Sequence, residues 1–526
     1  MARPVGAVSG DEHSENAAGP GRGTSLALAT LCTLLFLTFL DNTVVSVALG
    51  QIYPDLGASP SELQWVVGAY ALTFASLMLA CGMIGDELGR KKVMLAGVGV
   101  FCAGSVLSAL APNVQVLIAG RAVMGMGAAA SEPGTLSMLR HLYPGARARS
   151  RAIGIWAGTS GLALAMGPVI GGILIGVWSW RGIFWFNLAF GLAVLVVAAI
   201  ILPESADPTA GRVDTAGTLI GAGTLAALVF AIIDSETAGY GSAEVIVLFC
   251  VSVAGVAAFV WRERRAEHPL LDLRYLRMPQ FSTSNIVAFC TYFATFAIFF
   301  FTALYLVIVP ALSGYRLALV FLPMTVLMIV ASVLAGRWTA VVGPRWSVTI
   351  GCLLLAIGLF LAEPYLSPHP SYGPLIIALS LAGIGIGTTI VPITSSVLSA
   401  VPAERSGMAA SATNTSREIG AVAGVAILGS LMFSRINTSL ATQMDHLHTP
   451  AVYRGFVFSA IETGNFSVPP GLSGNLQKLL QQLTAVAYTA FHDGLRTVLY
   501  LSAGLALAAG LLALITLRSQ SIDAGS

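Results

Sequence analysis

Charged side chains lie inside several long apolar stretches of this sequence, and they are the residues best placed to do chemistry. Asp41, Arg121, Glu132 and Glu418 each lie in a run that is otherwise mainly apolar. A charge at the middle of a membrane-spanning helix costs about 2.5–3.5 kcal/mol on insertion scales and is usually functional. A carboxyl group there can take up and release a proton. The pattern therefore predicts proton or cation coupling at Asp41 and Glu132, with Glu418 as a further titratable site.

Structural roles are the alternative for the same residues. Asp41 could be a fixed hydrogen-bond partner, and Glu132 could be held by Ser131 or by a neighbouring helix. Glu418 could pair with a loop cation near the end of its helix. Arg121 and Glu132 are 11 residues apart, which places both on one helix face, about 16 Å apart along the axis. We expect both to face one cavity.

The elements that carry these charges are predicted to be membrane helices. Of 526 residues, 56% are hydrophobic and 10% are charged, whereas soluble domains carry about 25% charged residues. A run of about 20 apolar residues can span a bilayer. The fold class is therefore an all-α polytopic membrane protein. Fourteen apolar runs lie at about 25–49, 63–83, 93–111, 113–139, 152–177, 183–202, 214–233, 243–261, 285–309, 316–335, 346–363, 373–400, 407–433 and 495–517.

The distribution of basic residues predicts the orientation. Of 27 lysines and arginines, nineteen fall on the side of the N-terminus, six on the opposite side and two within the runs. Cytoplasmic segments are enriched in Lys and Arg, so both termini are predicted to be cytoplasmic. Six scattered cysteines show no metal-ligand spacing, and neither a metal site nor a disulfide framework is predicted.

The segment from Gly82 to Lys92 joins the second and third runs. Its glycines predict a tight turn, and its three basic residues place that turn on the cytoplasmic side. The segment resembles the signature loop between helices 2 and 3 of the major facilitator superfamily. The matching residues are Gly82, Asp86, Gly89, Arg90 and Lys91. The resemblance implies a gating loop, with Asp86 holding a neighbouring helix.

A second segment, Gly336 to Arg345, repeats the spacing of that loop without its acid. A weak repeat is expected when two helical bundles share an ancestor. We therefore expect two six-helix bundles, with a further helix pair inserted between them. The predicted divisions are a disordered cytoplasmic tail (1–24), an N-terminal bundle (25–203), an inserted helix pair (214–261), an amphipathic cytoplasmic linker (262–284) and a C-terminal bundle (285–517) that includes an outer loop (434–494).

Three further motifs narrow the resemblance. The segment Leu40-Asp-Asn-Thr-Val-Val-Ser-Val-Ala-Leu49 resembles the helix-1 signature of the fourteen-helix drug–proton antiporters, although Gly50 stands where that family usually has proline. Arg121 lies in a segment similar to the superfamily's helix-4 motif, whose arginine is associated with proton transfer. The fifth run resembles the glycine–proline motif of antiporters. Its residues are Gly161, Gly167, Pro168, Gly171 and Gly172.

These resemblances imply a bacterial cytoplasmic-membrane antiporter that exports lipophilic or cationic drugs in exchange for protons. Asp41 and Glu132 would cycle between protonated and charged states, and Arg121 would tune them. The expected partners are a small molecule, protons and the bilayer, without nucleic acid or cofactor, and with a monomer as the working assembly. A dedicated exporter of one self-made antibiotic or metabolite is the alternative. A nutrient symporter, a non-transporting receptor and an enzyme are disfavoured, and no Walker A sequence indicates direct use of ATP.

Overall fold

Long helices form the regular structure of the chain, as described by a computed structural model over residues 22–144, 146–205, 214–266, 269–310, 312–367, 370–402, 406–446 and 474–517. No strand occurs in these ranges. The helices are α1 (Arg22–Leu56), α2 (Pro60–Leu88), α3 (Arg90–Ala109), α4 (Val114–Leu142), α5 (Ala146–Val177), α6 (Arg181–Ile201), α7 (Thr215–Ala238), α8 (Ala243–Glu263), α9 (Pro279–Phe296), α10 (Ala303–Ile308), α11 (Gly314–Ala362), α12 (Tyr372–Ser399), α13 (Ser406–His446) and α14 (Gly474–Thr516).

Three of these labels, α9, α10 and α11, do not correspond to single membrane spans. A π-helical turn, Ala297–Thr302, joins α9 to α10 in one buried rod, and α11 bends at Gly343 into two spans. Within the described ranges, twelve helices are long and apolar enough to cross a membrane, or thirteen if the bent α5 is one span. The all-α membrane class is confirmed. The count of fourteen spans stays a prediction, although α2, with 29 residues, covers the second predicted run.

The pair α7–α8 lies beside the junction of α2 and α13. Ala71 of α2, Val229 and Ile233 of α7, and Val422 and Ala426 of α13 form one buried apolar cluster. Helix α7 therefore packs against α2 and α13 at once. Helix α8 lies farther out, since only 11% of its most apolar window is buried.

The signature loop differs from the predicted tight turn. Helix α2 continues through Gly82 and Gly85 to Leu88, and only Gly89 leaves helical geometry, with φ of 109°. In the second segment, Gly343 has φ of 81°. Positive φ favours glycine because it has no Cβ. The tight-turn prediction is wrong for Gly82 and Gly85, because the helix hydrogen bonds continue through them.

The predicted linker, 262–284, overlaps the ends of two helices, so the segment between the helices is shorter than predicted. Helix α8 runs to Glu263 and α9 begins at Pro279, with one 3₁₀ turn at Tyr275–Arg277 between them. Arg262 donates two hydrogen bonds to Asp214, from Nε and Nη2, each 3.0 Å long. Burial is the largest single influence and raises the pKa of the Asp214 carboxyl, but the hydrogen bonds and charge of Arg262 and the backbone N–H groups of Gly217 and Ala216 together lower that pKa below its ordinary value.

The predicted outer loop, 434–494, is shorter than the apolar pattern indicates. Helix α13 extends to His446 and α14 begins at Gly474. Residues 447–473 lie outside the described part of the chain, as do residues 1–21 of the predicted tail.

The seam between the two bundles is lined by small residues. A Cβ built on Gly172 of α5 would lie 2.5 Å from the carbonyl oxygen of Gly314 at the start of α11. On the other side of the molecule, a Cβ on Gly429 of α13 would lie 2.7 Å from Cδ of Gln64 in α2. At Gly172 the neighbour is backbone, so glycine allows α5 and α11 to approach closely, as is common in membrane packing, whereas at Gly429 the space is filled by the Gln64 side chain.

Gly172→Ala is expected to destabilise the protein by about 1–3 kcal/mol, because the added methyl group would force α5 and α11 apart. The matched control is Gly158→Ala in the same helix, where no atom lies within 4 Å of the added carbon. Alanine there should stabilise the helix by up to about 1 kcal/mol. Thermal unfolding of the purified variants in detergent measures both effects. Equal melting temperatures would contradict close packing at the seam.

Candidate functional site

A buried ion pair connects the first and fourth helices. Asp41 Oδ2 of α1 pairs with Arg121 Nη1 of α4, and both side chains are 0% exposed. Asn187 of α6 donates its amide Nδ2–H to Asp41 Oδ1 over 2.6 Å. Three helices of the N-terminal bundle therefore meet at one carboxylate. Breaking such a pair leaves an uncompensated buried charge.

Helix α2 holds the same arginine from a third direction. Arg121 Nε donates to the carbonyl oxygen of Val66 over 3.0 Å, and its guanidinium carbon lies 4.5 Å from the centre of the Tyr70 ring. The Tyr70 hydroxyl donates to the carbonyl oxygen of Thr38 over 2.9 Å. The arginine is thus fixed by an aromatic face as well as by a carboxylate.

Glycines of α5 allow α1 to lie close enough for this pairing. A Cβ on Gly167 would overlap the Thr43 hydroxyl, and one on Gly171 would lie 2.9 Å from the carbonyl oxygen of Val44. Gly172 packs against α11 instead, and Gly161 lies near Ser332, which is also in α11. The glycine–proline motif therefore contacts α1 on one face and the other bundle on its opposite face.

The C-terminal bundle contains a second charge, Arg417 of α13, in a different setting. Its Nη1 donates to Asn414 Oδ1 over 3.1 Å and its Nη2 to the Thr394 hydroxyl of α12 over 2.6 Å. The ring of Tyr292 in α9 lies 5.6 Å away. Amide, hydroxyl and aromatic groups therefore surround this cation, in contrast to the carboxylate partner of Arg121.

Two hydrogen bonds cross from one bundle to the other at this depth. Asn42 of α1 donates to Glu418 Oε1 over 3.1 Å, and Asn414 of α13 donates to Glu132 Oε1 of α4 over 2.6 Å. Glu132 and Glu418 are 0% and 1% exposed. The second oxygen of each carboxyl, Oε2, has no hydrogen-bond partner in the described structure. Each of these oxygens could accept a proton or contact a cation.

The structure buries all four predicted charged residues, and Arg121 contacts one of the two acids that it was predicted to tune. Arg121 pairs with Asp41, whereas Glu132 contacts Asn414, so one arginine does not serve both acids through direct contact. Ser131 donates to the carbonyl oxygen of Ala128, which excludes it as the clamp of Glu132.

Glu418 also differs from its structural alternative. It is buried against Asn42 of α1, and the alternative of a pairing with a loop cation does not hold, whereas its role as a titratable site stays a prediction. Glu418 lies 12 residues from the start of α13, and at 1.5 Å rise per residue this is about 18 Å, which places it deep in the membrane part of the helix.

Several site residues were not identified from the sequence. These are Asn187 of α6, Asn42, which directly follows Asp41, and Asn414, which lies four positions before Glu418. The available signal was an asparagine within a membrane run, since a buried amide needs partners.

The signature loop is anchored by a residue outside it. Glu204, which follows α6, accepts a hydrogen bond from the backbone N–H of Lys91 over 3.1 Å, and Arg90 N–H donates to the carbonyl oxygen of Ser205 over 2.8 Å. Gly89 offers no side chain to cap α3, so Glu204 supplies the negative group that a helix start favours. The side chain of Asp86 lies outside the described residues, and its predicted role stays a prediction.

The second segment has a different local structure. Arg345 Cζ lies 5.7 Å from the centre of the Trp346 ring, and Pro344 follows the non-helical Gly343. Gly336 is in ordinary contact with Val391 of α12. The gating role of both segments stays a prediction.

Comparison with known proteins identifies the family. A family model described as the Major Facilitator Superfamily matches residues 31–425. The fold agrees, since a bacterial homologue of the human lysosomal transporter Spinster, solved in an inward-facing and occupied conformation, superposes with a TM-score of 0.62. That match has 17% identity and covers 95% of this chain and 98% of the other. The chain belongs to the Major Facilitator Superfamily, and is a multi-pass membrane transporter.

Relatives with known roles are resistance and efflux proteins. Multidrug resistance protein Stp of Mycobacterium tuberculosis is 33% identical over 80% of this chain and 78% of its own length. Multidrug efflux pump LfrA of Mycolicibacterium smegmatis is 30% identical over 92% and 94%. The methylenomycin A resistance protein of Bacillus subtilis is 34% identical over 78% and 88%.

Arg121→Met is expected to destabilise the protein by about 3–5 kcal/mol, because it leaves the Asp41 carboxylate buried without its cation. Adding Asp41→Asn removes the unpaired charge, so the double variant should be more stable than the single one. Thermal unfolding in detergent compares the two proteins with the wild type. A double variant no more stable than Arg121→Met would show that the ion pair does not control stability here.

Glu204→Ala is expected to expose the signature loop to trypsin, which cleaves after Arg90, Lys91 and Lys92. Loss of a helix cap costs about 0.5–2 kcal/mol, so local opening should become about 2–30-fold more frequent. The matched control is Glu87→Ala, an exposed acid at the end of α2. Digestion rates of the two variants give the comparison, and equal rates would exclude Glu204 as the anchor.

Proposed function

We propose that this transporter exports lipophilic or cationic drug-like molecules across a bacterial cytoplasmic membrane in exchange for protons. The two bundles would alternate access to a central site. The observation that carries the proposal is a set of three buried acids: Glu132 and Glu418 each contact an asparagine of the opposite bundle, and Asp41 precedes one of those asparagines within the N-terminal bundle. Two of them keep a carboxyl oxygen without a partner among the described residues.

Protons would neutralise the negative charge of these buried acids. A buried carboxylate is costly unless it is neutralised or paired. Arg417 can offset one charge of Glu132 and Glu418 but not both. A proton or a cationic substrate would neutralise the remaining carboxylate, and binding of either one would disfavour binding of the other. Competition for one charge is the basis of exchange.

The roles of the acids differ in this proposal. Glu132 and Glu418 are the exchange sites, since each has an oxygen available. Asp41 is held by Arg121 and Asn187 and would take a proton only when Arg121 moves away from it. Arg121 therefore links proton uptake to movement of α4 against α1.

The moving parts are inferred from the family's signature segments and from the contacts between the two bundles. The loop from Gly82 to Lys92 and the segment from Gly336 to Arg345 would gate one side. The glycine–proline face of α5, from Gly161 to Gly172, would be the surface on which the bundles rock. The excess of basic residues on one side supports cytoplasmic termini, and a monomer contains the complete central site.

The relatives support drug export in their names. LfrA and Stp are named for multidrug efflux and resistance, and the Bacillus subtilis relative for resistance to methylenomycin A. A dedicated exporter of one antibiotic is the second candidate, because the relative named for methylenomycin A resistance is as similar to this chain, at 34% identity, as Stp at 33%. The breadth of transported molecules separates the two.

Proton coupling is tested in everted membrane vesicles with an acidic interior. Adding a transported drug should dissipate the pH gradient, measured by a fluorescent weak base. Asp41→Asn and Glu132→Gln should each reduce the response by at least about tenfold, because each removes a titratable site. The matched control is Glu363→Gln, a buried acid bound to Tyr500 over 3.0 Å, away from the centre, which should keep the response.

The panel of compounds decides between the two candidates. Gradient loss with several unrelated lipophilic cations and antibiotics indicates multidrug export, and loss with one chemical class indicates a dedicated exporter. Drug uptake into vesicles that is unaffected by the pH gradient would contradict proton coupling.

A further inference from the structure

Asn42 and Asn414 form a reciprocal pair of contacts between the two bundles. The N-terminal bundle provides an amide, Asn42, to the acid Glu418 of the other bundle, and the C-terminal bundle provides an amide, Asn414, to the acid Glu132. The donor–acceptor distances are 3.1 and 2.6 Å. All four side chains are buried, with exposures between 0% and 6%. Each bundle thus gives one donor and one acceptor.

We propose that these two hydrogen bonds are a latch that closes the empty transporter for its return step. The proposal rests on the proposed alternating-access function. Asn42 and Asn414 are positioning residues, which hold Glu132 and Glu418 across the seam when no substrate separates the bundles.

The chemistry of the two groups suits an empty, closed state. An amide N–H donates to the carbonyl oxygen of a neutral carboxyl as well as to a carboxylate. The accepting oxygen is Oε1 in both glutamates, so Oε2 remains available for the proton. The latch and the proton therefore occupy different oxygens and can be present together.

A bound substrate is incompatible with the latch on simple geometric grounds. The amide and carboxyl groups are in direct contact, and these contacts bring α1 against α13 and α4 against α13 at the centre. A drug-sized molecule between the bundles has to separate at least one of these pairs. The substrate-loaded transporter therefore changes conformation with the latch broken, whereas the empty transporter changes conformation with the latch formed.

This difference separates two partial reactions. Net downhill efflux requires the empty transporter to return, whereas counterflow exchanges labelled for unlabelled substrate and needs only the loaded form. Loss of the latch should slow the first reaction and largely spare the second. A residue needed merely for folding or for substrate binding would impair both.

The test uses ethidium in proteoliposomes containing the full-length protein. We compare Asn42→Ser and Asn414→Ser with the wild type by the ratio of net efflux to counterflow. Removing a hydrogen bond to a buried acid should lower this ratio by about tenfold in each variant. Retained counterflow is also the measure of correct folding. Asn285→Ser is the matched control, since Asn285 is a buried amide that donates to Phe281 within α9, and its ratio should equal that of the wild type.

Other outcomes overturn the latch. If efflux and counterflow fall in parallel, the asparagines act in substrate binding or folding. If the ratio of efflux to counterflow is unchanged, the two hydrogen bonds do not contribute to the return of the empty transporter. If one asparagine variant folds poorly, the other gives the second reading: each variant removes one of the two hydrogen bonds, so the ratio should fall about tenfold in either one. A wild-type efflux that ignores the pH gradient would contradict the proposed proton coupling, while the ratio would still decide on the latch.

Discussion

The contact between Asp41 and Arg121 is the constraint on which the N-terminal bundle depends. Both side chains are fully buried, where neither charge is tolerated alone. Asn187, Val66 and Tyr70 surround the pair, so α1, α2, α4 and α6 are fixed relative to one another. The C-terminal bundle has no equal of this pair in the described residues. It holds its own arginine with neutral groups, and its acid Glu418 contacts Asn42 of the other bundle, just as Glu132 of the N-terminal bundle contacts Asn414. Each bundle therefore brings one acid to the seam that has no ion-pair partner among the described residues.

Glycines also fix the positions of helices, both within the N-terminal bundle and at the seam between the bundles. Gly167 and Gly171 let α1 lie against α5, which places Asp41 at hydrogen-bonding distance from its partners, and Gly172 lets α5 reach α11. Small residues replace the hydrophobic driving force that is weak between helices in lipid. The helix pair α7–α8 adds an apolar layer over α2 and α13. Two contact surfaces thus join bundles that have to move against each other.

Sequence alone predicted the helices well and the partners poorly. Apolar runs place most helices, because about 20 apolar residues in a row have few other uses. Charges inside such runs identified Asp41, Arg121, Glu132 and Glu418 as central. Pairing could not be predicted, since Asp41 and Arg121 are 80 residues apart and Asn42 and Glu418 are 376 apart. Helix ends were also missed where polar residues continue a helix, as in α13, because tertiary packing extends it beyond its apolar part.

The buried ion pair also imposes an order on the making of the protein. Arg121 is synthesised 80 residues after Asp41, an interval of about 4–16 s at ordinary translation rates. Helix α1 therefore enters the bilayer with an acid whose partner does not yet exist, and that acid has to be neutral or shielded until α4 arrives. Substitutions at Arg121 consequently act first on the yield of inserted protein, before any transport takes place.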